Sequence, residues 1–202
     1  MRSPRRWGAK ALLGVWALAM VLLGSFALAT HVAALPVPDP QDPRLRGAVA
    51  SLRTPGRPLA VHALYADCRC SQMILAHLAH RGVMPGVDEV VLLVGDAPAH
   101  RARVSARGFR VLAITDEDLL RRWRMEAAPL LVVTDGDGVV RYAGGYRRAK
   151  ASRPEDPEVI RAVAMGRRPR RMPALGCPVS ARLQARLDPI GLRAATPDPE
   201  GN

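Results

Sequence analysis

Four short apolar runs set the frame for any fold this chain can take: PLAVHALY (58–65), VDEVVLLV (87–94), FRVLAI (109–114) and PLLVVT (129–134). Each is strand-length, dominated by Val, Leu and Ile, and bounded by Gly, Pro or Asp, as buried strands are. Helical spacing fills the gaps. Ser71–His80 places Ile74, Leu75 and Leu78 on one face and stops at Gly82, Pro98–Arg107 stops at Gly108, and Asp116–Met125 opens with acids that suit a helix N-terminus. After the fourth run, Asp135-Gly136-Asp137-Gly138 turns the chain into Val139–Ala143, a hairpin. Further helices are expected at Arg44–Leu52, at Glu155–Met165, and after Pro178, where Leu183 and Leu187 stand at i, i+4. Alternating strands and helices with one hairpin predict an α/β fold, a central mixed sheet flanked by helices in three layers.

The N-terminus has a different character. Residues 11–29 (ALLGVWALAMVLLGSFALA) carry no charge, and a helix of that length spans roughly 28 Å, close to the thickness of a bilayer core. Arg2, Arg5, Arg6 and Lys10 precede the run, whereas Asp39 and Asp42 follow it. The positive-inside rule puts the first ten residues in the cytoplasm and the domain across the membrane. Ala27-Leu28-Ala29 has the form of a signal-peptidase site, but the run exceeds the usual signal length, so a retained anchor is the preferred reading. The expected organisation is a basic flank (1–10), an anchor or signal segment (11–35) and a Pro-rich spacer (36–43). A folded domain (44–166) and an extension ending in a loose tail (167–202) follow. The expected location is a bacterial inner membrane, crossed once, with the domain in the periplasm.

The net charge of +12 does not argue for nucleic acid. Nearly all of it is Arg in a sequence rich in Ala, Gly and Pro, a pattern that GC-rich coding produces. The cluster at Arg147, Arg148, Lys150 and Arg153, continued by Arg167, Arg168, Arg170 and Arg171, has no interleaved aromatics to stack on bases. No Gly-rich phosphate loop follows a strand and no nucleophile elbow is present, so no cofactor is implied. His77 and His80 stand at i, i+3 after the cysteines, yet two histidines on a solvated helix face are read as just that, and no metal site is expected. His62 reads as a core or edge histidine, Asp135 and Asp137 as turn residues, and Trp123 and Tyr146 carry no specific signal.

Chemistry concentrates at Cys68 and Cys70, between the first strand and its helix. A helix N-terminus favours the thiolate, Arg69 adds a cation, and Asp67 opposes both. Cys68, nearer the strand, is expected to be the open, attacking thiol, and Cys70 the more shielded one. A Cys-x-Cys disulfide closes a small ring, so Cys68 has two possible resolving partners, Cys70 or Cys177. Cys177 precedes Pro178, which suits the first position of a helix, and would then also sit at a helix N-terminus.

The segment ADCRCSQMILAHL after a strand, with EAAPLLVVTDGDGVVRYAGGY much later, resembles the thioredoxin superfamily, and most of all its membrane-anchored periplasmic branch. The resemblance covers roughly residues 45 to 165. It implies a thioredoxin-like sandwich, with Pro129 as a cis-proline facing the sulfurs and Ala128 and Pro129 holding substrate backbone. The chain departs from the family in having one residue between the cysteines and Asp67 where an aromatic is common. The implied activity is thiol–disulfide exchange on thiol- or disulfide-bearing exported proteins, through Cys68 and Cys70. Two alternatives stay open: Cu(I) binding or delivery by soft thiolates, and a non-catalytic interaction domain with a structural disulfide. The oligomeric state is left open.

Overall fold

The computed structural model describes residues 5–32, 34–149 and 152–187, and within the first helix the side chains of 10–25. The chain divides into two units at Ala33/Ala34. The first contains one helix, α1 (Arg5–Val32). Among the described residues no helix is long and apolar enough to cross a membrane.

The second unit begins with α2 (Pro43–Ala50), whose N-cap Asp42 accepts hydrogen bonds from the backbone N–H groups of Arg44 and Leu45. There follow β1 (Leu59–Tyr65), α3 (Arg69–Arg81), β2 (Asp88–Val94), α4 (Pro98–Ser105), β3 (Arg110–Ile114) and α5 (Asp116–Arg121). The remaining elements are β4 (Ala127–Ala128), β5 (Leu130–Thr134), β6 (Val140–Gly144), α6 (Asp156–Ala164), β7 (Cys177–Pro178) and α7 (Ala181–Leu187). The main sheet runs β3-β2-β1-β5-β6. The first three strands are parallel to one another, β5 is antiparallel to β1, and β6 is antiparallel to β5.

Strand periodicity sorts the core into two layers. Leu59, Val61 and Ala63 of β1, with Val90 and Leu92 of β2 and Leu130 and Val132 of β5, face Leu45 and Val49 of α2 and Leu119 of α5. The alternate residues Ala60, Leu64, Val91, Leu93, Leu131 and Val133 face Ile74, Leu75 and Leu78 of α3, Val104 of α4, and Ile160 and Val163 of α6. This three-layer packing follows from a side-chain period of two meeting apolar faces at helical spacing. The hairpin falls where expected. Asp135 Oδ1 accepts from the N–H groups of Asp137 and Val139 at 3.1 and 2.9 Å, closing the turn.

Three expectations are corrected. The helix expected to reach Met125 ends at Arg121, because Arg124 adopts a left-handed φ of 58°. That break lets Trp123 and Met125 both enter the core. The Pro-rich spacer expected at 36–43 packs on the domain: Pro38 is buried, Asp42 pairs with Arg124 at 3.0 Å, and just before it the Leu35 N–H donates to the Ala174 carbonyl at 2.9 Å. Finally, the extension expected after residue 166 belongs to the domain. Ala174 and Val179 join one core layer and Met172 the other, so the segment laps over one end of the sheet. The tail expected to be loose, after Leu192, lies outside the described residues.

Candidate functional site

The site forms where β1 hands over to α3. The Ala66 N–H donates to the Val94 carbonyl at 2.8 Å, holding the turn to β2. Cys68 is the N-cap of α3 in an extended conformation, and its side chain makes no capping hydrogen bond. Cys68 and Cys177 are joined by a disulfide across 109 residues of sequence, with their Cα atoms 6.0 Å apart. That spacing lies in the ordinary range for a cystine. Cys70 is free and partly exposed.

The Ala128-Pro129 peptide is cis. Cys68 Sγ lies 3.8 Å from the Ala128 carbonyl oxygen, which places the turn before β5 directly against the sulfur. β7 lies antiparallel to β4, with Ala128 opposite Cys177 and Ala127 opposite Pro178. The segment can lie this flat only because it contains Gly176: a Cβ there would stand 2.0 Å from the Ala128 oxygen and 2.5 Å from the Pro129 Cδ. Gly145 permits a similar close approach beyond the end of β6, since its Cβ would overlap the Pro173 carbonyl.

The cysteines are therefore arranged differently from the sequence expectation. Cys68 is fully buried, covered by the Ala128 carbonyl and by β7, whereas Cys70 is the partly exposed one. Nor does Cys177 begin a helix. α7 starts at Ala181, and Ser180 is its cap: the Ser180 Oγ accepts from the Leu183 N–H at 3.2 Å and donates to Glu126 at 3.0 Å. A serine that can satisfy an open helix N–H outcompetes a proline upstream, which leaves Pro178 for the short strand.

Beside Cys70 is a cavity of about 130 Å³. Its walls include Met73, Pro129, Tyr146, Pro173 and Leu175. They come from α3, from the cis-proline turn, from the segment after β6 and from the overlapping C-terminal segment, so the cavity is a tertiary product.

A buried polar network backs this wall. The Tyr146 hydroxyl lies 2.8 Å from His62 Nδ1, and His62 Nε2 lies 2.9 Å from Glu89. Arg81 donates to both carboxylate oxygens of Glu89 and, through Nε at 2.9 Å, to Asp156. His77 lies 2.9 Å from the other Asp156 oxygen. Burial alone would raise the Glu89 pKa, but hydrogen bonds and charge from His62 and Arg81 outweigh it and hold the group at about 2. Asp156 is likewise lowered: burial opposes, while His77, His62 and Arg81 prevail. Burial, reinforced by the Asp156 charge, pushes the Tyr146 hydroxyl well above its ordinary value.

Sequence reasoning found the cysteines and Pro129 but not this network. The available signal was a charged residue inside an apolar strand, Glu89, which demands a buried partner. His62 is indeed a core histidine, His77 pairs with Asp156, and His80 is exposed. Among the described residues no group of three or more His, Cys, Asp or Glu is placed to hold a metal ion.

The five-stranded mixed sheet with helices on both faces is the layered arrangement expected from the sequence. No family model matches the sequence, and no curated protein does. Solved structures with a similar outline include an uncharacterized conserved protein from Geobacillus kaustophilus, at 18% identity and a TM-score of 0.49, covering 62% of this chain and 77% of that one. Another is a secreted Mycobacterium tuberculosis disulfide oxidoreductase, at 21% identity and a TM-score of 0.41, covering 57% of this chain and 85% of that one. A third is DsbF from the same organism, at 22% identity and a TM-score of 0.38, covering 55% and 81%.

Proposed function

We propose that this protein is a thiol–disulfide oxidoreductase that acts on exported proteins, with Cys68 and Cys177 as the pair that opens and closes. One observation carries the reading: the Cys68–Cys177 disulfide sits at the N-terminus of α3, against the cis-proline turn and beside a cavity. A thiol released at a helix N-terminus has its thiolate favoured by the helix dipole, which makes Cys68 a good leaving group when the bond is reduced. The Cys177 side of the bond is held by the two-residue pairing of β7 with β4, by the close contact of Gly176, and by Ala174 and Val179 on either side, which are anchored in the core. Reduction therefore opens the bond without dismantling the main sheet.

The membrane-tethered placement belongs to the same proposal. The uncharged run at 11–29 and the basic flank before it support an anchor with the domain in the periplasm, where disulfides persist. A reporter fused after Asn202 is expected to be active only on the exported side, and the full-length protein to resist carbonate extraction. Recovery of a soluble species beginning near Thr30 removes the anchor.

The activity is tested by titrating the protein in glutathione buffers and mapping cysteine pairing by mass spectrometry. Reversible opening of Cys68–Cys177 in the folded protein is expected. A bond that resists reduction until the protein unfolds refutes the enzymatic reading and leaves a structural disulfide.

A further inference from the structure

Three sulfurs belong to this site, and only two are bonded. Cys70 stands two residues after Cys68, so their Cα atoms are no more than about 7 Å apart, and it retains a free, partly exposed thiol on the cavity wall. Leu175 and Pro173, just upstream of Cys177, belong to the same wall. Cys70 and the segment carrying Cys177 thus face one space, while Cys68 is sealed beneath it.

A second, independent feature lies in the same turn. Ser71 is fully buried, and its hydroxyl has no hydrogen-bond partner among the described residues. Buried hydroxyls are almost always paired. Ser71 is the third residue of α3, whose N-cap is Cys68, and side chains at those two positions are neighbours at a helix N-terminus. In the disulfide-bonded state this donor has no acceptor among the described residues.

We propose that Cys70 is the third member of an exchange relay within this site. The inference rests on the thiol–disulfide reading given above. The Cys70 thiol loses its proton to water, and the thiolate attacks Cys177 Sγ. The Cys70–Cys177 bond forms, the Cys68–Cys177 bond breaks, and Cys68 leaves with the electron pair as a thiolate. One disulfide and one thiol are present before and after, so no oxidant or reductant is consumed.

Two considerations fix the direction. Attack on Cys68 instead would close the small Cys-x-Cys ring and release Cys177, which stands at no helix N-terminus. Attack on Cys177 avoids that ring and expels the sulfur at the N-cap of α3, where the dipole and the Ser71 hydroxyl receive the charge. The relay carries the disulfide from a sealed position to the cavity wall, where an incoming protein thiol can meet it at Cys70. Ser71 acts as a positioning residue, through Cys68.

The test uses the oxidised full-length protein, equilibrated at neutral pH, quenched in acid and digested with pepsin at low pH. Disulfide-linked peptides are then mapped by mass spectrometry. A Cys70–Cys177 linkage alongside Cys68–Cys177 is expected. In Ser71→Ala the Cys70–Cys177 share falls by about tenfold, as loss of one hydrogen bond to a charged sulfur predicts. A wild-type map containing only Cys68–Cys177 overturns the relay, and so does a Cys68–Cys70 linkage or an unchanged share in Ser71→Ala. Glutathione titration of Cys70→Ser separates the two readings. If its Cys68–Cys177 bond opens reversibly while the wild-type map shows no shuffling, only the relay falls. If the bond opens in neither protein, the oxidoreductase reading falls with it.

Discussion

Glu89 offers a quantitative test of the buried network behind the site. Its carboxylate has no exposed surface and receives hydrogen bonds from Arg81, from His62 and from the Met84 N–H. Glu89→Gln keeps the shape and removes the charge, leaving Arg81 with Asp156 as its remaining carboxylate. Breaking one side of a buried ion pair typically costs about 3–5 kcal/mol. Linkage supplies a second estimate. A pKa held at about 2 against an unperturbed value of 4.5 corresponds to roughly 3 kcal/mol. The sign is that of a depressed carboxylate: the contribution is complete above pH 4.5 and is lost as pH falls from there through about 2. Urea unfolding at neutral pH should therefore show Glu89→Gln less stable by about 3 kcal/mol. The difference from wild type should shrink as the titration is repeated toward pH 2. Glu117 is the control. It pairs with Arg121 at i, i+4 with 62% of its side chain exposed, and Glu117→Gln should cost less than about 0.5 kcal/mol. A Glu89→Gln penalty below about 1 kcal/mol, or one that does not change with pH, refutes the assignment of Glu89 as a charged, stabilising member of the network.

The disulfide closes a loop of 109 residues, and the chain-entropy estimate for that length is about 5 kcal/mol. Cys68→Ser/Cys177→Ser should lower the urea-unfolding free energy by up to that amount, and a difference near zero would show that the open chain already holds the segment in place. Gly176→Ala puts a methyl group 2.0 Å from a backbone oxygen. It should displace β7 and, in a glutathione buffer just oxidising enough to keep the wild-type bond closed, let glutathione reduce the disulfide and raise the count of titratable thiols in the folded protein from one toward three, whereas an unchanged count refutes the close approach as the constraint. Leu78, fully buried between α3 and the sheet, should cost about 2–5 kcal/mol on replacement by Ala, measured by thermal or urea unfolding.

Some of this protein was legible from local pattern alone. The strands, the helix after Cys68 and the Asp-Gly hairpin were legible because a two-residue or 3.6-residue period is written in consecutive residues and needs no distant partner. Pro129 was expected to face the sulfurs only through the family resemblance, and the Ala128-Pro129 turn does lie against Cys68 Sγ. Cysteines at a strand–helix junction marked the candidate site. What tertiary structure alone decided is every feature whose partners lie far apart in the chain. Cys177 is bonded to Cys68 because β7 is laid on β4, and nothing near Gly176-Cys177-Pro178 records that pairing. The relative exposure of Cys68 and Cys70 follows from the same contact: the overlapping segment buries the sulfur that the local sequence leaves open. His62, Arg81, Glu89, Tyr146 and Asp156 come from two strands, two helices and a loop. Apart from Glu89, a charge inside an apolar strand, each looks ordinary in its own segment. Their charges become tolerable in the interior only when all are brought together, since a buried carboxylate or guanidinium is stable only with its partners in place.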